Sequence, residues 1–272
     1  MEDLKGKTAL VTGASSGLGV AFARLLAAQG ADLVITARRA DNLEEVRREL
    51  VERYAVKVEV IVLDLSEPGA AQKLHEQTEG EGRAVDVLVN NAGGGLHQRF
   101  ADTEWERIAR QIQLNVVALT ELTHLFVRDM LRRGRGHVLN VASIGAYTPT
   151  PFYATYSAGK AFVRDFTEAL AYELADTEVR VCSLCPGGTL TEFHQAAGHE
   201  MQASFRATFE TAEECARYGL ESLFAGRRNV ISGLINKIGM FLLRFLPRRV
   251  IVWSAAATMG EPKRLPAANP GS

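Results

Sequence analysis

The chain has only three cysteines, Cys182, Cys185 and Cys215, in 272 residues. That is too few for a disulfide scaffold and suits a reducing compartment. It also lacks an excess of either charge. With a formal net charge of −1, no basic field argues for nucleic acid. Long apolar runs are missing too: nothing reaches the roughly 18 residues of a membrane-spanning helix. The nearest candidates, 238–243 and 250–260, are separated by Arg244, Pro247, Arg248 and Arg249. Too few residues precede the first apolar run to hold a signal peptide, so the expectation is a cytoplasmic chain. No repeat or internal linker interrupts it. What remains is ordinary: 47% hydrophobic and 23% charged residues, suited to one large α/β domain.

The chain alternates β-prone runs with helical periodicity. Thr8–Thr12 reads as a strand, followed at once by Gly13-Ala-Ser15-Ser16-Gly17-Leu18-Gly19 and an apolar-periodic helix that stops at Gly30. In a strand–turn–helix of this kind Gly13 takes the tight turn and Gly17 lets backbone approach a phosphate. Gly19 lets the helix pack on the strand. The helix N-terminus then offers N–H groups to a pyrophosphate. A second strand, 32–37, ends at Arg38-Arg39, where arginines accommodate a ribose 2′-phosphate and an acidic residue would bind the 2′-hydroxyl. The expected cofactor is therefore NADP(H). Further strands are expected at 58–63, ending in Asp64-Leu65 beside an adenine edge, and at 85–89, running into Asn91-Ala92-Gly93. Others follow at 137–142, 179–184 and, as an edge strand, 229–232. This pattern predicts a doubly wound, mostly parallel seven-stranded sheet with helices on both faces, as one domain over 1–260. Ligands of such sheets bind outside the carboxyl ends of the strands, where Gly13, Arg38, Asp64, Asn91, Ser143 and Pro186 all fall.

Tyr156 and Lys160 lie four apart, where a turn-rich segment gives way to a long periodic run. If a helix begins near Thr155, phenol and ammonium share one face. A neighbouring cation favours the phenolate, but lowering the phenol by ~3 pKa units needs about 4 kcal/mol, which calls for desolvation and a second positive charge.

Taken together, Thr12-Gly-Ala-Ser-Ser-Gly-Leu-Gly19, Asn90-Asn-Ala-Gly93, Asn115, Ser143, Tyr156-Ser-Ala-Gly-Lys160 and Pro186-Gly-Gly-Thr-Leu-Thr191 resemble the short-chain dehydrogenase/reductase family, in its shorter single-domain, Rossmann-like branch. The resemblance covers roughly residues 5–235. It implies that Tyr156 is a general acid/base, that Ser143 hydrogen-bonds the reacting carbonyl, and that Lys160 holds the nicotinamide ribose and, with the positive charge of the oxidised nicotinamide, lowers the tyrosine pKa. It also implies that Asn115 anchors a water leading from Lys160 to solvent. Pro186, Gly187, Thr189 and Thr191 would border the nicotinamide. The implied reaction interconverts a ketone and a secondary alcohol. A non-catalytic nucleotide sensor of the same fold is the alternative, although such proteins usually lack the tyrosine or the lysine. Many NADP-dependent relatives carry a basic residue inside the glycine turn, where Ser16 stands here, so that cofactor assignment rests on Arg38 and Arg39.

Other features have blander readings. Cys182 and Cys185 spell C-x-x-C, yet residues three apart on a strand face opposite ways, which favours buried structural cysteines over a metal site. His97, His194 and His199 read as surface or lid residues, and Tyr147 and Tyr153 as pocket wall. The stretch 192–228, with apolar residues Met201, Phe205, Phe209, Leu220 and Leu223, reads either as a substrate lid, pointing to a lipophilic ketone, or as core packing. The apolar-basic segment 235–252 suits a membrane surface, a subunit contact or plain packing, and 261–272 a disordered tail. The family commonly forms dimers or tetramers.

Overall fold

Seven strands form one sheet, and every neighbouring pair runs parallel. The structure, a computed structural model, describes residues 3–188 and 210–262. In chain order the main elements are β1 (Thr8–Thr12), α1 (Gly17–Ala28), β2 (Asp32–Ala37), α2 (Ala40–Tyr54), β3 (Val58–Val62), α3 (Ala70–Glu76) and β4 (Val87–Asn90). Then come α4 (Trp105–Ile112), a π-helical stretch (Gln113–Ala118), α5 (Leu119–Arg133), β5 (Gly136–Val141), α6 (Ala154–Glu173) and β6 (Val179–Cys185). The chain ends with α7 (Ala212–Phe224), β7 (Asn229–Ile231), α8 (Leu234–Leu243) and α9 (Arg248–Met259).

The sheet order is β3-β2-β1-β4-β5-β6-β7, so the winding reverses between β1 and β4. That reversal opens a crevice at the strands' carboxyl ends. The two-residue period of a strand sends alternate side chains to opposite faces. On β1, Ala9 and Val11 join a core with α1, α2 and α7, whereas Leu10 joins a second core with α3 and α5. Covering both faces with helices is why the strands read as nearly unbroken apolar runs.

Of the stretch 192–228, read either as a lid or as core packing, the portion 212–224 is α7 and takes the second reading, with Cys215, Leu220 and Leu223 fully buried against α1 and the sheet. An added Cβ at Gly219 would lie 2.7 Å from a Leu184 methyl, so this helix packs too closely on β6 to swing as a lid. Met201, Phe205, Phe209, His194 and His199 lie outside the described residues.

Candidate active site

The crevice begins at the glycine turn. Gly13 and Gly17 adopt φ of +67° and +55°, the left-handed region that favours glycine. A Cβ at Gly13 would come within 2.9 Å of both Ala92 Cα and Asn91 Nδ2. A Cβ at Gly19 would lie 2.1 Å from the Gly13 carbonyl oxygen, so only glycine lets α1 start this close to the turn. Ser16 stands at the N-cap without a side-chain capping bond, and the first turn holds no acidic residue. The opening N–H groups of α1 are thus left to an external acceptor, as an anion site requires.

What holds this turn was not visible from spacing. The Thr12 hydroxyl accepts the backbone N–H groups of Asn91 (3.0 Å) and Ala92 (2.9 Å) and donates to Val89 O (3.3 Å). The Asn91 amide in turn donates to the carbonyls of Thr12 (2.9 Å) and Gly13 (3.3 Å). Asn91, expected as a cofactor contact, therefore clamps the ends of β1 and β4 together. At the end of β2 the Arg38 side chain is 70% exposed, with its guanidinium 3.9 Å from Asp64. Arg39 bends back to Ser15, reaching its Oγ at 3.3 Å and its carbonyl at 3.4 Å. Burial would raise the Asp64 carboxyl, but hydrogen bonds from Ser66 and the charges of Arg38 and Arg110 hold it below its ordinary value. Leu65 turns its side chain into the core, leaving only its backbone for a ligand.

The second half of the site comes from β5 and α6. Ser143 follows the end of β5. Its hydroxyl accepts the Gly145 N–H at 3.1 Å and shares a hydrogen bond with the Tyr156 hydroxyl. Lys160, one helical turn beyond Tyr156 on α6, is 4% exposed and donates to Val141 O at 2.7 Å. Its ammonium lies 5.9 Å from the Tyr156 ring centre. Asn115 sits in the π-helical stretch between α4 and α5, a distortion often found at functional sites. Both polar ends of its amide go to Gly94: Nδ2 donates to the carbonyl at 2.7 Å and Oδ1 accepts the N–H at 3.0 Å. Gly93 separates the two partners, since a Cβ there would lie 3.0 Å from Asn115 Oδ1 and 3.4 Å from Lys160 Nζ. The structure thus brings Ser143, Tyr156, Lys160 and Asn115 around one point. Pro186 O, at the end of β6, accepts the Ile144 N–H at 2.9 Å and ties that rim to Ser143. Thr189 and Thr191 lie outside the described residues.

Burial pushes the Tyr156 phenol up to about 12, against the pull of the Ser143 hydrogen bond. Burial also pushes the Lys160 ammonium down to about 8. The protein by itself therefore presents a protonated phenol at neutral pH. A testable consequence concerns stability. Between pH 8 and the ordinary 10.5 the unfolded chain binds more protons at Lys160 than the folded chain does, so this lysine makes stability rise with pH. From about pH 9 the raised thiols of Cys182, Cys185 and Cys215, and from about pH 10 the raised Tyr156, work the other way, but they are common to the native chain and a Lys160 variant and cancel between the two. Urea unfolding between pH 8 and 10.5 should show a slope more positive than that of Lys160→Met, by at most about 1.4 kcal/mol per pH unit. Equal slopes would refute it.

Aromatic side chains wall the site. Tyr153 packs edge-on to Tyr156 with centroids 5.8 Å apart, and His97 stacks on Tyr153 at 5.0 Å. Expected as a surface or lid residue, His97 is instead 7% exposed, and its Nε2 lies 3.2 Å from Gly260 O. Glu261 forms an ion pair with Arg99, so the expected disordered tail is pinned at its first residue, with 263–272 outside the described residues. Tyr147 accepts a hydrogen bond from Asn229 at 2.9 Å beneath the Arg164 guanidinium. Cys182 and Cys185 pack in cores on opposite faces of the sheet, both as free thiols. Among the described residues no group of His, Cys, Asp or Glu has the makings of a metal site.

With this geometry in place, a family model for short chain dehydrogenases matches residues 7–202. The chain belongs to the short-chain dehydrogenases. It is an oxidoreductase of the kind that acts on a CH–OH or carbonyl group. Among its relatives, the 7beta-hydroxysteroid dehydrogenase of Collinsella aerofaciens is 34% identical over 237 residues, 85% of this chain and 88% of that protein. A solved structure of a 7beta-hydroxysteroid dehydrogenase superposes with a TM-score of 0.86 at 29% identity, covering 94% of this chain and all of that one. The short-chain dehydrogenase from Sphingobium yanoikuyae in complex with NADPH gives a TM-score of 0.78 at 27% identity, over 89% of this chain and 97% of that one. For a short-chain dehydrogenase the crevice has a direct meaning. The uncapped α1 N-terminus, the glycine cradle and Arg38 fit a phosphorylated dinucleotide.

Proposed function

We propose that this short-chain dehydrogenase uses NADP(H) to interconvert a lipophilic ketone and its secondary alcohol, with reduction favoured. The observation that carries the reading is the Ser143–Tyr156 hydrogen bond beside a buried Lys160. Two hydroxyls converging there offer a carbonyl oxygen both a proton donor and a second hydrogen bond. When bound, the reduced nicotinamide supplies the hydride. Tyr156 gives its proton to the carbonyl oxygen as charge develops on it, and Ser143 holds that oxygen in place. The phenol is protonated at neutral pH, the state that reduction needs. Lys160 binds the nicotinamide ribose. In the reverse direction its charge favours the phenolate, an effect that fades as the pH passes about 8. Asn115 fixes the Gly94 backbone next to Lys160.

The preference for a lipophilic ketone is supported by the aromatic packing of Tyr153 and His97 beside Tyr156 and by the named activity of the Collinsella relative. The experiment that tests the reading is NADPH oxidation against ketones graded by chain length and polarity. Turnover should rise with apolar size, and NADPH binding without turnover on any of them would favour a sensor instead.

Cofactor choice rests on Arg38, which extends into solvent at the end of β2 where a 2′-phosphate would lie. Arg38→Ala should weaken NADPH binding about 10-fold or more, the worth of one charge-assisted contact of about 1.5–3 kcal/mol, and leave NADH nearly unchanged. Equal losses for the two cofactors, measured by titration, would remove the assignment.

A further inference from the structure

The C-terminal helices form a surface that the catalytic reading does not use. Neither α8 nor α9 has a fully buried residue. The long apolar side chains of the pair and of the bend between them stand outward: Ile235 is 67% exposed, Phe245 in the bend 73% and Trp253 72%, with Phe241 and Leu242 also more than half exposed. Basic residues surround them. Arg244, Arg248 and Arg249 bracket the Phe245-Leu246-Pro247 bend, and no aspartate or glutamate occurs between Glu221 and Glu261. We infer that the α8–α9 pair docks on an anionic lipid surface, lying in the plane of the membrane with its arginines at the headgroups.

Charge decides between lipid and a second copy of the chain. A two-fold contact through this face would set its arginines against the partner's identical arginines, with no carboxylate in the segment to pair them. An anionic headgroup layer answers both features at once, since aromatic and aliphatic side chains enter the interface while arginines meet phosphates. No helix of the described chain is long and apolar enough to cross a membrane, so the attachment is peripheral.

The pair is also joined to the site at both ends. At the start of α8, the Asn236 amide fills the space beside Gly187, where an added Cβ would lie 1.9 Å from its Nδ2. After α9, Gly260 O meets His97, and Glu261 pairs with Arg99. Docking would therefore hold the pocket wall next to the lipid. The docking stands independently of the substrate reading, which only gives it a purpose.

The test uses the full chain carrying Trp105→Phe, which leaves Trp253 as the only tryptophan. Vesicles of phosphatidylcholine with phosphatidylglycerol should pull the protein down and shift Trp253 emission to the blue. Phosphatidylcholine vesicles alone should bind far less, and added salt should release the protein. Combining Arg244→Glu, Arg248→Glu and Arg249→Glu should lower vesicle affinity at least about 100-fold, because each basic residue near an anionic surface contributes several-fold. NADPH-dependent turnover of a water-soluble ketone should be unchanged, which reads the site apart from the docking. Phe241→Ser with Trp253→Ser is the second variant and should bind weakly even at low salt. Equal binding to neutral vesicles, or no binding to anionic ones, would overturn the inference. So would a stable dimer in sedimentation velocity that Phe241→Ser with Phe245→Ser dissociates.

Discussion

Tyr156→Phe is expected to lower kcat for ketone reduction by about 10³-fold, within the 10²–10⁴ that a positioned general acid contributes, while NADPH binding stays within a factor of about two. The substitution removes one oxygen and leaves the ring, so the edge contact to Tyr153 persists. It also leaves the Ser143 hydroxyl without its phenolic partner, though not without the Gly145 N–H. A loss in kcat with little change in cofactor affinity is the signature of a group that acts only as charge develops on the reacting oxygen. Steady-state NADPH oxidation and a fluorescence titration of NADPH measure the two halves. Full activity in the Tyr156→Phe enzyme would end the proton-donor role, and parallel loss of cofactor binding would point to a packing role instead.

Gly19→Ala should be nearly as damaging, by a different route. Its new methyl would sit 2.1 Å from the Gly13 carbonyl oxygen, with the Gly13 carbonyl carbon 2.7 Å away, and both belong to backbone rather than to a side chain that can turn aside. Either α1 shifts or the turn does. The expected cost is about 1–3 kcal/mol of stability from overpacking, seen as a lower Tm. A loss of NADPH affinity of about 100-fold or more is also expected, because the displaced turn is the surface that would hold the pyrophosphate. Gly80→Ala is the control: its added Cβ would meet nothing closer than 3.7 Å. If Gly19→Ala binds NADPH as well as that control, the close approach is not what shapes the cofactor site.

These two residues illustrate what was legible in the sequence. The strand–glycine–helix order, the seven strands and the placement of Ser143, Tyr156 and Lys160 followed from local periodicity and spacing, because strands buried on both faces and a one-turn offset on a helix leave regular marks. Expected and observed strand limits differ by no more than two residues. What stayed hidden depends on residues far apart in the chain. Thr12 was part of a motif, but its bonds to Asn91 and Ala92 span 79 and 80 positions. The buried chain linking Asn90, Asn140 and Thr167 across β4, β5 and α6 left no periodic trace either. Leu220 and Leu223 suited a lid helix and a core helix equally, since apolar spacing does not say which partner covers it. His97 looked exposed because its cover, Tyr153 and Gly260, comes from distant stretches. The upward push on the Tyr156 phenol was hidden too, because desolvation depends on the whole surround and not on neighbours in sequence.

The Thr12–Asn91 clamp has a consequence for how the molecule forms. The glycine turn belongs to the first strand of the sheet, yet the bonds that shape it come from the end of the fourth. Nascent β1, α1 and β2 lack those partners, so a fragment ending before Val87 has its turn unlocked. Closing so long a loop is a slow, non-local step. Nucleotide affinity should therefore appear late in refolding, after most helix has formed, and a nucleotide present from the start would favour the sheet's two halves in their joined state.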